Sequence, residues 1–198
     1  MVYLNEREIG FDRERLGFPS VSGCRAVVFQ TRHGLFGFHN LGNSDPKTQW
    51  GPAAEEFASY ITAHANRDVG IHLYVVTFVQ RGGSYITVKG KSERSQWKSE
   101  AEVYAKKLRY KKGPISGYDL STTATKESAY VEFRAVGSSC VVLIKPWHRD
   151  DTIDGATKAD ANIGPDHKMF KDIKSPKKFV TSVATGDLVQ VQPELLRS

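Results

Sequence analysis

The chain has little cysteine, two residues among 198, and it has no long apolar run. Two thiols argue against the disulfide-stapled scaffold of small secreted domains, although one bridge between Cys24 and Cys140 stays open as an alternative. A membrane-spanning helix needs about 18 or more consecutive apolar residues, so we expect no membrane span. The apolar segment of a classical secretory signal peptide is also missing.

Recognisable metal and nucleic-acid motifs are missing as well. His148 with Asp150, Asp151 and Asp154 fits no strong metal-ligand spacing, so we expect neither a metal nor another cofactor. The net charge of +6 is a modest basic excess, and basic runs usually form solvated surfaces. We therefore do not expect nucleic acid as the partner. The basic residues cluster in two places, at Lys106, Lys107, Arg109, Lys111 and Lys112, and at Lys168, Lys171, Lys174, Lys177 and Lys178.

What the chain does have is a β-rich pattern over a length that suits one core. We expect a single catalytic domain over residues 1–198. Its class is predicted as α+β: a mixed or antiparallel sheet or sandwich built from hairpins, with two or three helices outside. The segments behind this prediction are hairpins over 26–38, 71–88 and 130–144, helices over 52–65 and 95–108, and a loop-rich connection over 113–126.

The clearest chemical signal is a cysteine followed 15 positions later by a histidine, Cys24 and His39. The residues between them read as a β-hairpin with its turn at Arg32 and His33. In that register Ala26 lies opposite His39, and Cys24 lies diagonally across from His39 on the same face. The sequence therefore predicts a contact between thiol and imidazole.

Such a pair suits nucleophilic catalysis. A thiol is mostly protonated at neutral pH, and a neighbouring imidazole can take its proton before the sulfur attacks a carbonyl carbon. We assign Cys24 as nucleophile and His39 as general base. Ser22 and Gly23 precede the thiol, where backbone N–H groups can stabilise an oxyanion. His33 is the rival base, but it sits at the turn, further from Cys24.

At these residues the chain resembles the catalytic domain of the cytotoxic necrotizing factor family of bacterial toxins. It is more loosely similar to the chemotaxis receptor deamidases and related bacterial glutamine deamidases. The shared signature is Ser-Gly-Cys with a histidine on the following strand, which Ser22, Gly23, Cys24 and His39 match in order and spacing. The resemblance covers residues 21–40.

The resemblance implies a protein glutamine deamidase, in which Cys24 attacks a glutamine carboxamide and water releases glutamate. Rho-type small GTPases of a host cell are the implied targets, and some members also transfer amines. It also implies that a backbone carbonyl from an upstream strand orients the histidine. The strand-like stretch upstream of Cys24 is residues 2–5, closer to the cysteine than in the toxins, and Asn5 is a weak candidate for a supporting group.

The resemblance further implies a secreted or injected bacterial effector that acts in the host cytosol. Without a classical signal peptide, delivery would use a dedicated injection apparatus, or the chain would be part of a longer toxin. We expect a monomer. Two alternatives stay open: a cysteine protease or transglutaminase that uses the same pair, and a non-enzymatic basic binding module in which Cys24 is buried and inert.

Overall fold

The computed structural model describes residues 1–41, 46–65, 70–80, 85, 90–123, 127–148, 161–163, 169–170 and 188–198. The described strands are β1 (Val2–Tyr3), β2 (Glu8–Asp12), β3 (Arg15–Val21), β4 (Arg25–Thr31), β5 (Gly34–Asn40), β6 (Gly70–Thr77), β7 (Ile115–Asp119), β8 (Ala129–Val136), β9 (Ser139–Pro146), β10 (Ala161–Ile163), β11 (Met169–Phe170), β12 (Val189–Gln190) and β13 (Glu194–Arg197). The helices are α1 (Pro46–Ala65), α2 (Glu93–Lys107) and a short 3-10 turn, Leu120–Thr122.

The described strands form two mixed sheets. One has the order β1-β3-β8-β9-β12, and the other has the order β11-β10-β2-β5-β4-β6-β7-β13. Neighbouring strands are antiparallel except for β1 with β3 and β6 with β7. This β-rich α+β arrangement confirms the predicted fold class.

The two cores of buried side chains divide the fold into three layers: the helices α1 and α2, the larger sheet and the smaller sheet. One apolar core joins α1 and α2 to the larger sheet through residues such as Phe38, Phe57 and Trp97. A second core fills the space between the two sheets, with Phe18, Val28 and Phe133 among its members. The central strands β4 and β5 of the larger sheet are therefore buried on both faces, and all seven residues of β4 are buried. Neither described helix has the length and apolar character that a bilayer-spanning segment needs.

Several elements agree with the sequence-based expectations. Strands β4 and β5 pair in the predicted register, with Thr31 opposite Gly34 and Ala26 opposite His39. The β8–β9 hairpin turns at Gly137, whose φ of 60° suits glycine. Helix α2 begins after Ser92, whose side chain accepts a hydrogen bond from the Ser95 amide, as an N-cap serine commonly does.

Other expectations were wrong. Helix α1 begins at Pro46, so Pro52 lies inside it rather than at its first turn. Strand β6 ends at Thr77 and lies between β4 and β7. Residues 81–84 and 86–88, which make up the turn and most of the second strand of the predicted 71–88 hairpin, lie outside the described residues. The connection at 113–126 contains strand β7, which runs parallel to β6.

The first basic cluster packs partly against the fold. Tyr110 is buried, stacks edge-on against Phe29 and donates its hydroxyl hydrogen to the Ile71 carbonyl at 2.8 Å. Lys107 pairs with Glu55 at 2.6 Å. Tyr110, which lies between the basic residues of this cluster, therefore belongs to the core. The lysines of the second basic cluster, Lys168, Lys171, Lys174, Lys177 and Lys178, lie outside the described residues.

A pair of glycine substitutions tests the sandwich core. A Cβ at position 37 would lie 2.7 Å from methyl groups of Leu4 and Leu16, whereas one at Gly51 in α1 would meet nothing within 4 Å. We expect Gly37→Ala to lower the free energy of unfolding by about 1–3 kcal/mol through overpacking. Gly51→Ala should raise it by up to about 1 kcal/mol through helix propensity. Urea denaturation measures both, and equal effects of the two substitutions would contradict the packing described for Gly37.

Candidate active site

The β4–β5 hairpin brings Cys24 and His39 to the same face of the larger sheet. Cys24 immediately precedes β4, and His39 is the penultimate residue of β5. Ala26 pairs with His39, so Cys24 lies two residues along from that pair. Because side chains alternate along a strand, residues 24 and 26 share the face that packs against the smaller sheet, where Ala26 belongs to the core. The predicted register is therefore present, but the predicted thiol–imidazole contact is not formed as a hydrogen bond among the described residues: the thiol donates to Glu6, His39 Nδ1 is bonded to the Leu4 carbonyl, and His39 Nε2 has no hydrogen-bond partner.

His39 is fully buried and held by a backbone carbonyl. Its Nδ1 lies 2.8 Å from the Leu4 carbonyl oxygen. A carbonyl can only accept, so Nδ1 carries the proton and Nε2 keeps a lone pair. Within the described part of the chain, Nε2 has no hydrogen-bond partner. Burial lowers the pKa of His39, against the opposing effects of the Leu4 carbonyl and the Glu6 carboxylate. The ring is thus oriented as a neutral base.

Leu4 reaches this position because the two sheets approach closely. Its amide donates to the Gly17 carbonyl at 2.8 Å, which extends the pairing of β1 with β3. Its side chain packs over Gly37, where no Cβ could fit without displacing it. The carbonyl of Leu4 is consequently presented to His39, two residues further along β5. The resemblance implied an orienting carbonyl from an upstream strand, and Leu4 lies in the strand-like stretch 2–5 named for it. The sequence could not indicate which carbonyl of that stretch would serve, since every residue has one.

Asn5 was considered as a supporting group for the catalytic pair, but its amide groups bond to Glu8. Its backbone N–H and its side-chain amide both donate to Glu8 Oε2, at 2.6 and 3.1 Å. The Glu8 amide donates back to the Asn5 carbonyl at 2.9 Å, which closes a turn over residues 5–8. Arg7 takes a left-handed φ of 71° in this turn, and its amide donates to the His39 carbonyl. Asn5 therefore shapes the turn beside the imidazole.

That turn carries Glu6, a site residue that the sequence-based reading missed. The Cys24 thiol donates to Glu6 Oε1 at 3.2 Å. Cys24 is 2 % exposed, whereas Glu6 is exposed. The sulfur accordingly lies one side chain below the surface, under a carboxylate. A carboxylate next to a thiol opposes formation of the thiolate, so this geometry describes a resting thiol.

Ser22 and Gly23 lie in the bend that leads into β4, and both are half-buried. Gly23 has no left-handed φ, and a Cβ added there would meet nothing within 4 Å. The glycine is therefore not required by backbone strain or by packing. It leaves open space beside the thiol, through which a substrate group could approach the backbone closely.

The other candidate groups lie elsewhere. His33 is exposed at the far end of the hairpin, a seven-residue strand or roughly 20 Å from Cys24, which removes it as a rival base. The two cysteines form no disulfide, and burial raises the pKa of Cys140 to about 12. The described residues contain no group that could hold a metal ion. Asp150, Asp151 and Asp154 lie outside them.

A surface cavity of about 380 Å³ lies near the ends of β7 and β13, lined by residues such as Asp119 and Glu194, and it does not include Cys24 or His39.

Neither a protein-family model nor a curated protein sequence matches the chain. The resemblance to bacterial glutamine deamidases therefore rests on residues 21–40.

Removal of the Glu6 charge tests the resting-thiol geometry. Glu6→Gln keeps a hydrogen-bond acceptor but removes the negative charge, so we expect several-fold faster alkylation of Cys24 by iodoacetamide near pH 7. Peptide mass spectrometry would follow Cys24 and Cys140 separately. Glu14→Gln is the matched control, because Glu14 is an exposed carboxylate beyond β2, away from the thiol. Equal alkylation rates in both variants would show that Glu6 does not restrain the thiol.

Proposed function

We propose that this protein is a cysteine-dependent protein glutamine deamidase. The observation that carries the proposal is the hydrogen bond between His39 Nδ1 and the Leu4 carbonyl, 2.8 Å long, which leaves Nε2 to act as the base. The same bond supports the proposed relationship to the toxin family, in which an upstream carbonyl orients the histidine. Leu4 directly follows β1 and so supplies an upstream main-chain group of that kind.

The reaction proceeds in two acyl-transfer steps. Once Glu6 moves aside, His39 Nε2 accepts the thiol proton and Cys24 Sγ bonds to the carboxamide carbon of a glutamine. The tetrahedral oxyanion collapses, the C–N bond breaks, and the imidazolium returns the proton to the departing ammonia. Water, deprotonated by His39, then attacks the thioester carbon. Glutamate leaves, and Cys24 regains its proton.

The substrate and setting belong to the same proposal. A glutamine on a host protein is the proposed target, with a Rho-type small GTPase as the first to test. The protein would then act as a secreted or injected bacterial effector in the host cytosol. The support for both statements is the resemblance of Ser22, Gly23, Cys24 and His39 to the toxin signature.

Separate replacement of the two site residues tests the reaction. Cys24→Ser and His39→Ala should each lower deamidation by at least about 100-fold, because nucleophile and base act in the same step. The assay follows the one-dalton mass gain of glutamine to glutamate on purified Rho-type GTPases. Cys140→Ser is the control and should keep wild-type activity. Full activity in folded Cys24→Ser protein would refute the assignment.

The pH dependence of the reaction tests the state of the imidazole. Because burial lowers the pKa of His39 from the ordinary 6.5, the neutral base persists at a lower pH than a solvent-exposed histidine allows. We expect the acidic limb of the kcat/KM profile to have its midpoint below pH 6.5. Circular dichroism across the same range controls for unfolding. A midpoint above 6.5 would contradict a buried neutral base.

The non-enzymatic alternative also has one observation in its favour, the 2 % exposure of Cys24. A basic binding module with an inert thiol predicts equal resistance of Cys24 and Cys140 to iodoacetamide, even after Glu6→Gln. Peptide cleavage, or amine incorporation that exceeds hydrolysis, would instead favour a cysteine protease or a transglutaminase that uses the same pair.

A further inference from the structure

A guanidinium is buried on the face of β4 opposite the thiol. Arg25 is 1 % exposed, and its Nε donates to Glu100 Oε2 of helix α2 at 3.0 Å. Its guanidinium carbon lies 4.6 Å from the centre of the Tyr85 ring, and the Tyr85 hydroxyl also donates to Glu100. Burial alone would lower the pKa of Arg25, but the Glu100 carboxylate outweighs burial and raises it, so the side chain stays charged.

This ion pair is a costly way to join a helix to a sheet. Desolvation of two charges often cancels their attraction, and apolar side chains of similar volume frequently stabilise a core as well or better. The surrounding layer is otherwise rich in aromatic and aliphatic side chains that would accommodate such a replacement. The presence of Arg25 beside Cys24 therefore calls for a role that an apolar residue could not fill.

The second contact of the guanidinium supplies that role. Arg25 Nη1 donates to the carbonyl oxygen of Gly23 at 2.9 Å. This carbonyl belongs to the peptide group whose N–H is that of Cys24, and no described peptide bond is cis. In a planar trans peptide the C=O and N–H point in opposite directions. With the Gly23 carbonyl drawn towards the helix side, the Cys24 N–H points away from it, to the side where the thiol and His39 lie.

We propose that Arg25, backed by Glu100, is a positioning residue that aims the Cys24 N–H at the oxyanion formed when the thiol attacks a carbonyl. The inference rests on the proposed function and adds a specific donor to it. Gly23 itself does not fix the peptide, since it lacks a left-handed φ and has open space around it. The hydrogen bond from the Arg25 guanidinium to the Gly23 carbonyl restrains the orientation of this peptide group instead. Arg25 exchanges no proton during the reaction and never contacts the substrate.

The test separates acyl transfer from simple alkylation of the same thiol. Acylation of Cys24 by p-nitrophenyl acetate passes through an oxyanion, whereas alkylation by iodoacetamide is a displacement at a saturated carbon and forms none. The main variant is the double replacement Arg25→Met with Glu100→Met, which removes both charges together and leaves no unpaired ion in the core. Lys107→Met with Glu55→Met is the matched control, because that pair joins α1 and α2 without contact to Gly23.

We expect the Arg25/Glu100 double variant to acylate about 100-fold more slowly than wild type, the usual cost of losing one oxyanion donor. Its alkylation rate should stay within about twofold of wild type, and the control pair should change neither rate. Arg25→Lys should recover part of the acylation rate, since an ammonium can reach one of the two partners but cannot serve both as a guanidinium does. Carbon-13 labelling of the Gly23 carbonyl should show its resonance shifted in the double variant.

The possible failures are distinguishable. If the Arg25/Glu100 double variant folds and acylates at the wild-type rate, the proposed role of Arg25 is overturned and the deamidase proposal is left intact. Equal losses of acylation and alkylation would also overturn it, because they would indicate a general disturbance of the thiol. If Cys24 resists acylation both in the wild-type protein and in the Glu6→Gln variant, the proposed function is refuted. The proposed catalytic role of Arg25 is then refuted with it.

Discussion

The register of strand β4 is the constraint on which the rest of the molecule depends. All of its residues are buried, and its side chains alternate between the helix layer and the space between the sheets. Polar anchors hold both ends: Arg25 pairs with Glu100, and Gln30 donates to the Gly137 and Ser139 carbonyls of the other sheet. A slip by one residue would move Arg25 into the sandwich and Cys24 towards the helices. Buried ions without partners make that slip costly.

The site draws on both sheets. The thiol and the imidazole come from the β4–β5 hairpin, while the carbonyl that orients the imidazole and the carboxylate above the thiol come from the segment joining β1 to β2. The two segments are tied together by the Arg7 amide, which donates to the His39 carbonyl. The state of the thiol therefore depends on how the N-terminal segment sits against β5.

The elements predicted correctly are those whose residues follow a short-range pattern in the sequence. The β4–β5 and β8–β9 hairpins were evident because their apolar runs flank turn residues, and α2 because Trp97, Ala101 and Tyr104 recur at helical spacing. Strands β2, β3 and β7 escaped prediction. Their glycines and prolines weaken the alternating pattern, and pairing partners from distant parts of the chain stabilise them.

The candidate site divides in the same way. Cys24 and His39 share one hairpin, so the hairpin turn and the alternation of side chains were enough to bring them to one face. Leu4 and Glu6 arrive through contacts between sheets, which no spacing in the sequence encodes. The use of a main-chain oxygen to hold the imidazole also has an evolutionary consequence. No side-chain replacement can delete that acceptor, so the constraint on residue 4 is the apolar side chain that packs in the core between the sheets, and selection would be felt as well at Gly17 and Gly37, where an added Cβ would clash with neighbouring side chains.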